Sequence, residues 1–486
     1  MMIGQIRVAF VLAFVSAPVA AQQQPLASGP SKIAEVEHGL TSAVVLAGTP
    51  ASPRTIAAEM SRLHVPGASV SVLRGGTIEW SKGYGFTRAG GIPVTPDTLF
   101  QAGSISKPVT ALAALRLVQQ RRLKLDGDVN GQLRGWKLPT PPGAHVTLRE
   151  LLSHTAGTTV HGFPGYAPGL PVPTVDDVLA GRAPANTKPV VVDTTPGTAW
   201  RYSGGGYTVV QKLIGDVTAQ TFADVLRDEV LRPAGMTHSY FAQPLNAALL
   251  ANAAWPHDGM GAPVSGGPHT YPELAAAGLW STPGDLLRYA IAVRNSARGK
   301  TGALLGRALA TEMLTPGKGG YGLGLEIHGA SAARDFSHGG SNEGYENFLV
   351  AYTDTGDGVA VMTNGAQGNE LGLEITRSVA AAYGWPSYRS IERASVPIPA
   401  LMRARLVGNY AIPNLGSFSI TGEGSGLALS LKEGVSEPLY ASSPDTYFIL
   451  STDMVLHVDS TGSKVSGRIV SGPFDVPFTE EADAKP

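Results

Sequence analysis

The chain has 486 residues, a net charge of −1 and only 15% charged residues, against 43% hydrophobic ones. That balance excludes a disordered chain or one that coats nucleic acid, and leaves no global field to steer the protein toward DNA or an acidic membrane. There is no cysteine, which excludes disulfides, thiolate metal sites and a cysteine nucleophile.

At about 100–200 residues per domain, the length predicts two or three structural units. A small-molecule or peptide substrate is the expected partner. Arg7, the apolar run Val8 to Val15 and the small residues Val19-Ala20-Ala21 before Gln22 form the pattern of a secretory signal cleaved after Ala21. The run is too short to span a bilayer. The mature chain is therefore expected in the periplasm or secreted, with no stable membrane insertion. Residues 22–53 carry little pattern and are expected to be a mobile N-terminal arm.

Ser69 to Leu73 and Thr77 to Trp80 flank Arg74-Gly75-Gly76 and predict a hairpin. Val109 to Val118 is apolar almost all round before the polar Gln119 to Arg122, which predicts a buried helix emerging into water. Pro108 belongs in its first turn, where a missing N–H costs least. Ten prolines between Pro139 and Pro196 predict a loop-rich stretch. Helices are expected over 206–218, 222–231, 274–293 and 370–383, with two strands within 348–361. Beyond the linker Val396-Pro397-Ile398-Pro399, alternation at Leu427, Leu429, Leu431 and at Met454, Leu456, Val458 predicts a small antiparallel sheet or barrel.

The chemistry centres on Phe100-Gln101-Ala102-Gly103-Ser104-Ile105-Ser106-Lys107. Three residues apart at a helix start, Ser104 and Lys107 share a face. A lysine amine buried among apolar groups is pushed toward its neutral form and can accept a serine proton. Ser-x-x-Lys arises about twice by chance in a chain of this length. A helix cap beside a solvated lysine explains the spacing alone equally well. Two further elements add weight. Tyr202 precedes the glycine turn Gly204-Gly205-Gly206, and Ser337-His338-Gly339-Gly340-Ser341 has glycines that let a substrate carbonyl approach backbone N–H groups.

In this order and separation, the three elements resemble the serine β-lactamase and penicillin-binding-protein family, in its class C and D-aminopeptidase/esterase branch. Val146-Thr147-Leu148-Arg149-Glu150-Leu151-Leu152-Ser153-His154-Thr155-Ala156-Gly157, Leu231-Arg232-Pro233-Ala234-Gly235-Met236 and Gly278-Leu279-Trp280-Ser281-Thr282-Pro283-Gly284-Asp285 fit as well. The resemblance covers about residues 54–385.

The resemblance implies an α/β (α+β) fold: an antiparallel sheet flanked by helices beside a helical subdomain, spanning 54–390. A small all-β, lipocalin-like domain would follow over 400–480. Three roles are open to that domain: capping the active site, building a homo-oligomer interface, or inert stabilisation. The resemblance further implies Ser104 as acyl-accepting nucleophile, Lys107 as its hydrogen-bond partner and Tyr202 as general base and later acid. The backbone N–H groups of Ser104 and Ser341 would form the oxyanion hole, with Gly204, His338, Gly339 and Gly340 contacting substrate. That chemistry requires no metal or cofactor.

Two departures bear on substrate. Gly204 stands where the family's β-lactamases carry asparagine, and His338-Gly339-Gly340 stands for Lys-Thr-Gly. A substrate carboxylate thereby loses a fixed cation and a hydroxyl; histidine is charged only in part at neutral pH. A lost charge-assisted hydrogen bond is worth about 1.5–3 kcal/mol. The expectation is therefore a peptidase of D-aminopeptidase type or a carboxylesterase. A β-lactamase or D-alanyl-D-alanine carboxypeptidase is the enzymatic alternative, and a non-hydrolytic cell-wall-fragment sensor or scaffold the alternative of another class. His154, His161, His257 and His269 lack zinc-site spacing and are expected to be structural or surface histidines. Asp126-Gly127-Asp128 is expected to be a turn with a cap. Trp136, Phe163, Tyr166, Tyr271 and Trp280 are expected to line a pocket or pack in the core.

Overall fold

The computed structural model describes residues 31–49, 52–413, 416–424, 426–432, 435–471 and 474–481. The expected signal segment, residues 1–21, lies outside them. No helix among the described residues is long and apolar enough to cross a membrane.

Six strands build the central sheet: β1 (Gly67–Arg74), β2 (Thr77–Gly85), β3 (Glu326–His328), β4 (Asp335–Asn342), β5 (Tyr345–Tyr352) and β6 (Gly358–Thr363). Their order is β2-β1-β6-β5-β4-β3, antiparallel throughout. The inner strands β1 and β6 are buried on both faces because helices cover both, although β1 turns Ser69 and Ser71 to one of them. Val70, Val72, Val350, Val359 and Val361 meet Leu371, Ile375 and Val379 of the helix Gly368–Tyr383. On the opposite face, Leu349, Ala351, Ala360 and Met362 share a core with Leu286, Leu287, Ala290 and Val293 of the helix Pro283–Ala297. That second core continues into a helical subdomain, whose two long helices are α1 (Ser106–Gln119) and α2 (Gly204–Thr218).

Two expectations need correction. Residues 32–46 are not a free arm. Ser31 caps the helix Lys32–Glu37, which buries Val36 against the sheet-side core, and Val44–Leu46 pairs in parallel with Ile391–Arg393. A six-residue helix and a three-residue strand are too short to show a periodicity. Nor is 274–293 one helix. A single turn, Leu274–Ala277, ends at Gly278, and Trp280–Ser281 pairs with Phe100–Gln101. The long helix then restarts at Pro283 behind the cap Thr282. The apolar run Ala275 to Trp280 hides this break, since burial on all sides erases helical and strand periods alike.

The C-terminal unit is a closed barrel of eight antiparallel strands between Gly408 and Glu480. Tyr410 stacks on Phe418 in its interior, and Phe478 meets both rings edge-on. It meets the rest of the chain through the Val44 N–H, which donates to the Leu450 carbonyl, and the Val396 N–H, which donates to Ala441. Arg393 also donates to the Asp453 carbonyl. Among the described residues, the side-chain partners of Ser104, Lys107, Tyr202 and Ser341 lie in the catalytic domain and not in the barrel.

Candidate active site

Ser104 sits on the tight turn Gly103–Ile105 that runs directly into α1. The turn is fastened from three sides. The Ala102 N–H donates to Leu279 (2.8 Å), and the Ser106 hydroxyl donates to the Gly103 carbonyl (2.6 Å) while accepting the Leu279 N–H (3.0 Å). Asn347 on β5 donates to both Gln101 and Gly340 carbonyls (2.9 and 3.1 Å), and so ties the turn to β4. The backbones meet closely: a Cβ at Gly340 would lie 2.0 Å from the Ala102 oxygen. One at Gly103, which has a left-handed φ of 54°, would lie 2.7 Å from the Ser341 nitrogen. Glycine at both positions lets the β4 edge press against the turn that carries Ser104.

Lys107, in the first turn of α1, is 2% exposed. Its Nζ lies 2.9 Å from the Ser104 Oγ and 2.9 Å from the Ala276 carbonyl, to which it donates. Among the described residues no carboxylate offsets its burial, and desolvation brings its pKa down to about 7. Half of these amines are neutral near physiological pH. The Tyr202 phenol also hydrogen-bonds the Ser104 side chain, and Lys107 Nζ stands 4.8 Å from the Tyr202 ring centroid. Burial pushes the Tyr202 phenol upward despite that hydrogen bond. A standing tyrosinate, which Tyr202 as general base would require, is therefore disfavoured.

Tyr202 is fixed by the residues just after it. Ser203 caps α2, accepting the Gly206 N–H (3.0 Å) and donating to the Thr159 carbonyl (2.7 Å). The Gly204 N–H donates to the His161 carbonyl at 2.9 Å. A Cβ at Gly204 would fall 2.9 Å from the Phe163 ring and 3.1 Å from that carbonyl oxygen. An aromatic loop thus fills the space beside residue 204, where the family's β-lactamases place an amide.

His338 is 2% exposed and faces inward. Its Nδ1–H donates to the Gly339 carbonyl, which leaves Nε2 to accept the Tyr321 hydroxyl at 3.0 Å. Desolvation, with Lys107 nearby, brings its pKa down to about 3. The ring is neutral in the working range, and its single N–H is committed to backbone. The partial cation expected at this position is absent. Ser341 is exposed at the end of β4 and donates its hydroxyl to Glu346 (2.7 Å).

The structure therefore brings Ser104, Lys107, Tyr202, Gly204, His338, Gly340 and Ser341 to one place; Gly339, next to His338, retains room beside it. Sequence reasoning missed Tyr321, which follows a glycine cluster and carries no motif of its own. It also gave His154 only a structural or surface part. His154 is buried with its ring 4.3 Å from that of Tyr202. Its place in the Leu-Leu-Ser-His-Thr-Ala-Gly stretch was the one signal in the sequence. Among the other residues weighed, Asp128 caps a turn by accepting the Asn130 N–H. Tyr166, Tyr271 and Trp280 are core residues, Trp136 and Phe163 pack on the core, and the Phe163 ring also stands beside Gly204. Trp280 and the His269 segment also wall a cavity of about 360 Å³, shared with Pro168, Leu170, Leu250 and Trp255. The His269 carbonyl in that wall accepts from Gln101, three residues before the serine.

A serine whose hydroxyl lies between a desolvated amine and a tyrosine, beside a strand edge of glycines, defines an acyl-transferring serine hydrolase. The Beta-lactamase family model matches residues 53–384, and the chain belongs to that family. It is 28% identical over 340 residues to "Penicillin-binding protein 4" of Amycolatopsis lactamdurans, covering 65% of this chain and 85% of that one. It is 32% identical over 196 residues to "Unguisins hydrolase ungD'" of Aspergillus campestris, covering 38% of this chain and 34% of the fungal protein's length. In fold it is similar to the octameric penicillin-binding protein homologue from Pyrococcus abyssi, with a TM-score of 0.59 and 24% identity over 87% of this chain and 98% of that one.

Proposed function

We propose that this serine hydrolase is exported and cleaves carboxylic esters or amides, such as peptides of D-aminopeptidase type, whose recognition needs no fixed cation. The observation that carries this reading is the pairing of Lys107 on Ser104 with a third motif in which His338 is buried, neutral and already hydrogen-bonded. The first feature supplies the nucleophile. The second withholds the charge that grips a β-lactam carboxylate. The apolar cavity walled by Leu170, Leu250 and Trp255 supports an apolar acyl group or side chain.

In this reading the neutral Lys107 amine takes the Ser104 proton as Oγ attacks the substrate carbonyl. The oxyanion is received by the backbone N–H groups of Ser104 and Ser341. The new ammonium beside Tyr202 lowers that phenol's hold on its proton. Tyr202 gives the proton to the departing alcohol or amine and is refilled from Lys107. Water then retraces the path: it surrenders a proton to the same pair as its oxygen adds to the acyl carbon, and the pair hands that proton to Ser104 Oγ as the acyl–oxygen bond breaks, which restores the free serine and the neutral amine. The division of labour thus makes Lys107 the acceptor and Tyr202 the relay, in place of a resting tyrosinate base.

The test is a substrate panel on the purified protein. A p-nitrophenyl ester or a D-amino-acid p-nitroanilide should exceed nitrocefin in kcat/KM by about a hundredfold or more, the worth of roughly 3 kcal/mol of lost carboxylate recognition. Nitrocefin turnover within tenfold of the best substrate would overturn it.

A further inference from the structure

His154 has a backbone conformation and a set of contacts that packing alone does not explain. It is a non-glycine residue at a φ of 58°, a left-handed conformation that costs roughly 1–2 kcal/mol for a residue with a Cβ. Its carbonyl accepts the Arg201 N–H at 2.8 Å, and its Nδ1 accepts the Ser203 N–H at 3.1 Å. Those are the N–H groups of the residues before and after Tyr202. The ring lies 4.3 Å from the Tyr202 ring, tilted by 37°.

Because Nδ1 accepts, Nε2 carries the proton. That N–H is buried and has no hydrogen-bond partner among the described residues; the rings of Tyr321 and Tyr207 lie 4.8 and 5.3 Å away. Burial, with Lys107 nearby, keeps the imidazole neutral. An unpaired buried donor is a cost that leucine of similar size would avoid. What leucine cannot supply is the acceptor for Ser203.

We propose that His154 is a positioning residue that clamps the backbone before and after Tyr202, and so holds the phenol on the Ser104 hydroxyl. The proposal rests on the reading of Tyr202 as the proton relay. A clamp of this kind acts on the chemical step and leaves ground-state binding nearly untouched, since a misplaced relay lowers transition-state stabilisation alone.

Three variants test it: His154→Leu, His154→Asn and Tyr202→Phe, each alone, with the leucine change repeated in the Tyr202→Phe background. Asparagine tolerates the left-handed backbone and carries an oxygen that can stand for Nδ1. The leucine variant should lose kcat by about thirtyfold or more with KM within about threefold. The asparagine variant should stay within about fivefold of wild type in kcat. In the Phe background, leucine should cost less than about twofold further, because its target is already gone.

Leucine keeping more than half of kcat, asparagine falling as far as leucine, or fully additive losses would each overturn the clamp. A merely structural role predicts the additive result. If the leucine chain does not fold, by circular dichroism, His154→Ala takes its place in every arm. Full kcat in Tyr202→Phe would instead sink the relay reading, whatever the His154 variants do.

Discussion

The burial of Lys107 makes a prediction that needs no substrate. Holding an amine at about 7 in place of 10.5 puts a penalty of ~4–5 kcal/mol on its charged form. At pH 7 the unfolded chain carries that lysine charged, so folding bears nearly all of this cost, about 4 kcal/mol. Lys107→Met keeps the length and apolar stem but removes the amine. It also removes the hydrogen bonds to Ser104 and Ala276, worth ~1–3 kcal/mol together with the exposed need of the Ala276 carbonyl. The variant should therefore be more stable than wild type by ~1–3 kcal/mol at pH 7, and lose hydrolysis by about a hundredfold or more.

The sign with pH is specific. Lys107's folded value is depressed, so between about 7 and 10.5 the unfolded state binds a proton that the folded state does not, and wild-type stability rises with pH on account of this group. The advantage of the Met variant should shrink by up to about 1.4 kcal/mol per pH unit across that window. Urea unfolding of both proteins, followed by tryptophan fluorescence at several pH values, isolates the difference, since other groups cancel between them. All six tryptophans precede residue 390, so the signal reports the catalytic domain and not the barrel. A wild-type-minus-variant difference that does not move with pH, or that moves the other way, would refute the desolvated amine.

Ser104→Ala should abolish ester hydrolysis and fluorophosphonate labelling, with unchanged circular dichroism; residual full activity would remove Ser104 as nucleophile. Tyr202→Phe should lose most of kcat with KM near normal, measured on a p-nitrophenyl ester; a loss confined to KM would make Tyr202 a binding residue. Gly204→Asn should not create nitrocefin turnover and should destabilise by ~1–3 kcal/mol in thermal melts, because its Cβ would press on Phe163 and the His161 carbonyl. Gained turnover without loss of stability would mean that the aromatic loop moves aside freely.

Much of the site was legible because its residues speak locally. Ser104 and Lys107 are one helical turn apart, whereas the glycines of the third element point only to room for a substrate carbonyl, and it is the structure that sets the Ala102 oxygen against Gly340 and the Phe163 ring against Gly204. The barrel was legible from alternation, since each strand has one face inward. What stayed hidden depends on neighbours far along the chain. The depth of His338, which turns an expected cation into a neutral hydrogen-bond acceptor, is set by Tyr321. The hold on Tyr202 comes from His154, 48 residues earlier. The break at Gly278 is fixed by pairing between Trp280–Ser281 and Phe100–Gln101. The packed helix Lys32–Glu37 is too short to carry a pattern, and only its docking on the sheet-side core gives it away.

The short parallel pair between Val44–Leu46 and Ile391–Arg393 has a consequence for handling the protein. Through the Val44 N–H on Leu450, the beginning of the described chain is stitched at once to the connector and to the barrel's rim. A truncation that starts at residue 54, where the hydrolase motifs begin, would keep Ser104 and its partners yet unseat the barrel. The backbone groups of residues 391–393 would then lie open as a bare strand edge, a template for pairing with another chain. Expression trials that trim the front of this protein should therefore show self-association first and lost catalysis only later.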